Sequence, residues 1–210
     1  MKLILFGGAE VELGQVEPEL KLIKEVIERL NPEQLLHIPF ARTKTDELEW
    51  QGDWFNRYIN LPGVEYLNAD NENDIAKARH PMIFISGGRE SARLITKITA
   101  DHNLLGLINK ASYIIGESAG AMVLGEYFRA RDDKGRCAVV KGLGILKDTI
   151  IEPHYSDRKS QKLLAQEMVQ AAVKYGLGID CLTAIELEVD NFPEKYEKIG
   201  SGLIDIKNNN

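Results

Sequence analysis

Ser112-Tyr113-Ile114-Ile115-Gly116-Glu117-Ser118-Ala119-Gly120-Ala121-Met122-Val123-Leu124-Gly125 is the stretch whose reading decides the fold. Tyr113, Ile114 and Ile115 have the apolar continuity of a buried strand end. Gly116 to Gly120 then spells G-x-S-x-G, and the small and apolar residues after it suit the start of a helix. A serine on a sharp strand-to-helix turn exposes its hydroxyl, and small neighbours are required because strand, turn and helix crowd together. The backbone N–H of Ala119 would lie beside the helix N-terminus, where it suits a developing oxyanion. The plainer reading is a serine that only caps a helix. The strand before it and the small-residue helix after it favour a nucleophile elbow.

Outward from this stretch, short apolar runs alternate with helical patterns. Leu3 to Phe6 is a continuous apolar run ending in Gly7-Gly8, as a buried parallel strand would be. Leu20, Ile23, Ile27 and Leu30 recur at helical spacing after Pro18, and Asn31-Pro32 stops them. Leu35 to Ala41 is a second strand, residues 46–59 a helix, and Val64 to Leu67 a short strand. A short helix over Asn73 to Arg79 precedes the strand Met82 to Ile85, which runs into Ser86-Gly87-Gly88-Arg89. Helices then begin near Ser91 and over Asp101 to Lys110. Residues 129–144 are expected as a loop or hairpin. Thr149 to His154 is a strand, and Ser156 or Asp157 would cap a long helix with Leu164, Met168, Ala171 and Tyr175 on one face. Leu182 to Val189 and Lys198 to Ile206 are closing strands. The alternation predicts an α/β fold in three layers, a mostly parallel sheet with helices on both faces, in one domain over residues 1–210.

Composition bounds the function. The 210 residues are 44% hydrophobic and 28% charged with a net charge of −6, which argues against nucleic-acid or anionic-membrane partners. The apolar run at Leu3 to Phe6 is too short for a signal-peptide core or a membrane span. Cys137 and Cys181 lie far apart without metal-ligand spacing, as expected for free thiols in a reducing, cytoplasmic compartment.

Ligands of such a sheet bind outside the carboxyl ends of its strands. Gly7-Gly8, Gly87-Gly88, Ser118 and His154 all fall there. A serine hydroxyl needs a base within hydrogen-bond reach. Of four histidines, His37 lies inside an apolar strand, His80 at the wrong strand end and His102 in a charged segment, which leaves His154. The acid that would orient the base is open among Asp132, Asp133, Glu152, Glu126 and Glu186. Gly88 offers a second oxyanion N–H beside that of Ala119, and Arg158 a cation for a substrate carboxylate.

With these residues in view, the chain resembles the peptidase E family of serine peptidases, which includes aspartyl dipeptidases and, more distantly, cyanophycinases. The matching pieces are Pro39-Phe40-Ala41, Phe84 to Gly88, Gly116 to Ala121 and Glu152-Pro153-His154-Tyr155, in family order across most of the chain. The resemblance implies a class I glutamine amidotransferase-like, flavodoxin-like fold, with Ser118 as nucleophile, His154 as base and Gly88 and Ala119 as oxyanion donors. It implies Asp132 or Asp133 as the acid, Asp133 by offset. Arg89 stands where the aspartyl dipeptidases carry asparagine, and Arg89, Glu117 and Arg158 are the expected substrate-binding residues. The expected activity is hydrolysis of short peptides, without metal or organic cofactor and with a homodimer allowed. An esterase with the same triad and an inactive ligand-binding relative are the alternatives.

Overall fold

The computed structural model describes residues 1–42, 55 and 58–209. The helix expected over residues 46–59 lies largely outside them.

The central strand β1 (Lys2–Phe6) is buried on both faces, and its alternating side chains divide the core. Leu3 and Leu5 point into one apolar cluster, Ile4 and Phe6 into another. Around β1 a seven-stranded sheet forms from β2 (Gln34–Ile38), β3 (Glu65–Asn68), β4 (Met82–Ile85), β5 (Tyr113–Glu117), β10 (Thr183–Glu188) and β11 (Tyr196–Gly200), in the order β11-β10-β1-β5-β4-β2-β3. The five strands from β1 to β3 run parallel, while β10 and β11 are antiparallel additions at one edge.

Helix α1 (Val16–Leu30) covers one face with Ile23, Val26 and Ile27, each fully buried side chain contributing about 2 kcal/mol of hydrophobic stabilisation. Asn31 ends it in the left-handed conformation that asparagine tolerates. On the other face lie α3 (Ser91–Ala100) and α4 (His102–Lys110), with α2 (Glu72–Lys77) following β3. Asp101 caps α4 by accepting from the Asn103 and Leu104 amides. The protein is thus an α/β fold with helices on both sides of its main sheet.

A second sheet departs from the single sheet that the alternation implies. It joins β6 (Gly125–Arg131), β7 (Cys137–Lys141), β8 (Leu146–Pro153), β9 (Tyr175–Ile179) and β12 (Ile204–Asn208) in the order β12-β9-β8-β6-β7. Its inner face, with Phe128, Leu146, Ile151 and Leu177, shares the core of α3 and α4. Its outer face, with Ile150 and Tyr155, is covered by Leu164 and Met168 of α6 (Gln161–Ala171). The segment expected as a loop or hairpin, residues 129–144, falls on the β6–β7 hairpin, in which Tyr127–Arg131 pair with Cys137–Lys141. The helix expected to run through Tyr175 ends at Ala171, and Tyr175 opens β9 beside β8. Lys198 to Ile206 spans parts of two strands, β11 pairing with β10 and β12 with β9 in the other sheet.

Candidate active site

Ser118 follows β5 directly and adopts φ 50°, ψ −113°, a conformation that costs a residue with a Cβ free energy. Two sets of bonds hold it there. The Ser118 N–H donates to the Phe6 carbonyl at 3.1 Å, and its own carbonyl accepts from Ala121 and Met122 at 2.9 and 3.0 Å, starting the short helix α5 (Ala119–Met122). Gly120 allows this helix to lie on β4: a Cβ there would sit 1.9 Å from the Ile85 carbonyl oxygen. The first-turn amides of such a helix, that of Ala119 among them, have no intrahelical acceptor.

His154 arrives from the second sheet, immediately after β8, with φ 52° and its N–H donating to the Gly7 carbonyl at 2.9 Å. Its Nε2 lies 3.0 Å from Ser118 Oγ. Gly8, at φ 89°, is what leaves room for the ring, since a Cβ there would stand 2.6 Å from Nε2. Two sheets therefore meet at the carboxyl ends of β1, β5 and β8, and each contributes one member of the Ser118–His154 pair.

Behind the imidazole is Glu10, on the loop after β1. Its Oε1 lies 3.0 Å from His154 Nδ1 and also accepts from Arg158 Nε at 2.5 Å. A proton on Nδ1 donated to Glu10 leaves Nε2 with its lone pair facing the Ser118 hydroxyl. Cys181 Sγ is a second neighbour of Nδ1 at 3.1 Å. Burial, reinforced by the Arg158 charge, pushes His154 down to about 4, while the carboxylates of Glu10 and Asp157 oppose it. The ring is therefore neutral and able to accept a proton near neutral pH.

Asp132 and Asp133, expected behind the imidazole, are not there. Asp132 folds the β6–β7 turn, accepting from the amides of Lys134 and Arg136 and from the Arg136 side chain at 2.7 Å, and Asp133 is exposed in the same turn. Glu152 is buried beneath the second sheet, 2.7 Å from Arg129. Glu126 accepts from the Asp148 amide, and Glu186 pairs with Arg29. The residue missed is Glu10. Its signal was a carboxylate two positions beyond Gly7-Gly8 at a strand's carboxyl end.

Of the expected substrate-binding residues, Arg89 is exposed beside Gly88. Arg158 is engaged with Glu10. Glu117 turns inward: its carboxylate accepts the Gly87 N–H at 2.5 Å and lies 3.6 Å from Arg42, bracing the glycine turn that precedes Gly88. Glu19 of α1 is buried close by. Desolvation, then the Glu117 charge, raises its carboxyl well above the usual range. His37 is buried with Nε2 2.9 Å from Ser86 Oγ, a core position, and His80 and His102 are exposed. Both cysteines are free thiols, Cys137 exposed and Cys181 buried. Glu10, His154 and Cys181 present donor atoms within 4.8 Å of one another, a set able to hold a small divalent ion. Among the described residues no helix is long and apolar enough to cross a membrane.

Fold and site together define an α/β protein with a serine on a strained strand-to-helix turn facing a buried histidine. The chain belongs to peptidase family S51, whose sequence profile matches residues 3–194, and this supports a serine peptidase in general. It is 29% identical over 97 residues to a cyanophycinase of Geminocystis herdmanii (strain PCC 6308), a match covering 43% of this chain and 35% of that protein. The match thus spans about a third of the length of that curated relative. Two solved structures share the fold. A peptidase from an acI-B1 Actinobacterium superposes with a TM-score of 0.64 at 20% identity, over 98% of this chain and 89% of the other. A putative peptidase E protein from Listeria monocytogenes EGD-e gives 0.62 at 18% identity, over 96% and 98%.

Proposed function

We propose that the chain hydrolyses short peptides through Ser118, His154 and Glu10. The observation that carries this reading is the Ser118 hydroxyl on its strained turn, 3.0 Å from His154 Nε2, with Glu10 3.0 Å from Nδ1. Ser118 Oγ attacks the scissile carbonyl as His154 takes its proton. Glu10 holds the ring in the productive tautomer and stabilises the imidazolium that forms. The Gly88 and Ala119 amides receive the tetrahedral oxyanion, each such donor contributing on the order of 3 kcal/mol to the transition state. His154 passes its proton to the leaving amine, and water, deprotonated by the same nitrogen, releases the acyl group from Ser118.

Peptide rather than ester hydrolysis follows from family membership. Arg158 is bound to Glu10, and a specificity for N-terminal aspartate does not follow from it. The test is labelling by a fluorophosphonate read by intact mass, followed by dipeptide and acyl-ester panels. One adduct on the wild type, lost in Ser118→Ala and slowed in His154→Ala, is expected. Folded wild type that takes no adduct would overturn the reading and favour an inactive ligand-binding relative.

A further inference from the structure

The single proton on His154 Nδ1 faces two groups, the Glu10 carboxylate at 3.0 Å and the Cys181 thiol at 3.1 Å. The proposed hydrolysis uses the carboxylate and has no task for the thiol. Cys181 is placed with care nonetheless. It follows β9 at the carboxyl end of the second sheet, and its N–H donates to Asp157 Oδ2 at 3.3 Å. Three chain segments thus bring a carboxylate oxygen, an imidazole nitrogen and a sulfur within 4.8 Å of one another. In tetrahedral zinc sites, Zn–N near 2.0 Å and Zn–S near 2.3 Å put such donors about 3.3–3.8 Å apart, so a small opening of these contacts admits the ion.

We propose that Glu10, His154 Nδ1 and Cys181 Sγ form an inhibitory site for a borderline-soft divalent cation of the zinc class. The charges balance, because the dication and Arg158 are matched by a thiolate and the carboxylates of Glu10 and Asp157. On binding, the thiol releases one proton to solvent, so that Asp157 stays ionised. The imidazole stays neutral: the metal takes the lone pair on Nδ1, and the ring proton moves from Nδ1 to Nε2 through solvent. Nε2 then carries a hydrogen where it must accept one, and Ser118 loses its base. The ion reaches the site past Glu10, whose side chain is 25% exposed, and Arg158, 55% exposed. Magnesium and calcium, which require six or more oxygen ligands, do not suit this donor set.

The metal site stands on geometry alone, whereas the inhibition rests on the proposed serine mechanism, and the experiment separates the two. Cobalt(II) chloride is titrated into the full chain carrying Cys137→Ser, which removes the exposed thiol. One equivalent should produce a thiolate-to-cobalt charge-transfer band, displaced by zinc and lost in Cys181→Ser and Cys181→Ala. Absence of the band in the Cys137→Ser protein, or its persistence without Cys181, overturns the site, whatever the folding of the Cys181 variants. Zinc at saturation should slow fluorophosphonate labelling of Ser118 about 100-fold or more, the contribution of a positioned general base, with recovery on EDTA and no effect of magnesium. Full-rate labelling of the metal-bound protein overturns the inhibition. Protein that never labels defeats the serine mechanism, and the cobalt spectrum still decides the metal site.

Discussion

At the scale of single residues, the basicity of His154 is set by charges that oppose one another. Desolvation and Arg158 lower it to about 4, and Glu10 and Asp157 act against them. The base must be unprotonated, so kcat/KM should rise with pH through a midpoint near 4, well below the ordinary imidazole range. Glu10→Gln removes a negative charge that favours the imidazolium, so its midpoint should move lower, with kcat reduced by about 10²–10⁴-fold as the tautomer is lost. Arg158→Gln removes a positive charge and should move the midpoint up. Midpoints of the two variants that shift in the same direction, measured by pH–rate profiles, would contradict this account.

At the scale of elements, the turn at Ser118 depends on α5 lying against β4. Gly120→Ala places a Cβ on the Ile85 carbonyl. It should cost about 1–3 kcal/mol in denaturant unfolding and slow labelling of Ser118 by displacing the turn. The second sheet has an equivalent dependence in Arg129 of β6, whose guanidinium lies 2.7 Å from Glu152 and 2.8 Å from Glu167 of α6, both buried. Removing the cation leaves two buried carboxylates without compensation, so Arg129→Met should cost about 3–5 kcal/mol above neutral pH. Desolvation first, then Glu152, raises Glu167 to about 7. Its folded pKa lies above the unfolded value, so the penalty of ionising it is absent below pH 4.5, accumulates as pH rises from 4.5 to 7 and is complete above that. The deficit of Arg129→Met should therefore shrink on acidification; a deficit independent of pH would place the interaction elsewhere.

At the scale of the whole molecule, two buried imidazoles from the two sheets make stability depend on acid. Desolvation, with Arg42 assisting, lowers His37 to about 3, and His154 is lowered to about 4. Both depressed values mean that the unfolded chain binds more protons between pH 6.5 and these values. Their stabilisation is complete above pH 6.5 and is lost as pH falls through the window. Glu19 and Glu167 act in the opposite sense above pH 4.5, so the imidazole contribution stands clearest between pH 4.5 and 3. There His37 contributes a slope of about 1.4 kcal/mol per pH unit that fades as pH approaches 3, whereas the slope of His154 fades as pH passes 4. His37→Gln should remove one such slope in unfolding free energy; an unchanged slope would mean that His37 is protonated in the fold.

By itself the sequence determined the local pieces of this protein. Apolar continuity marked β1, β4 and β5, helical spacing marked α1, and the crowding demanded by Gly116 to Gly120 marked the turn under Ser118. His154 was legible because it ended a strand, and strand ends gather at one edge of a parallel sheet. Only the tertiary structure decided that the strands divide into two sheets, because β9 and β12 are short segments whose partners lie far away in sequence. It also decided which carboxylate faces His154. Asp132 lies close to Ser118 along the chain yet closes a hairpin, whereas Glu10, from the other end of the chain, reaches His154 because β1 lies beside β5 and the His154 amide bonds to Gly7. Which carboxylate faces an imidazole is set by strand order and register, and neither is written in the spacing of residues along one chain.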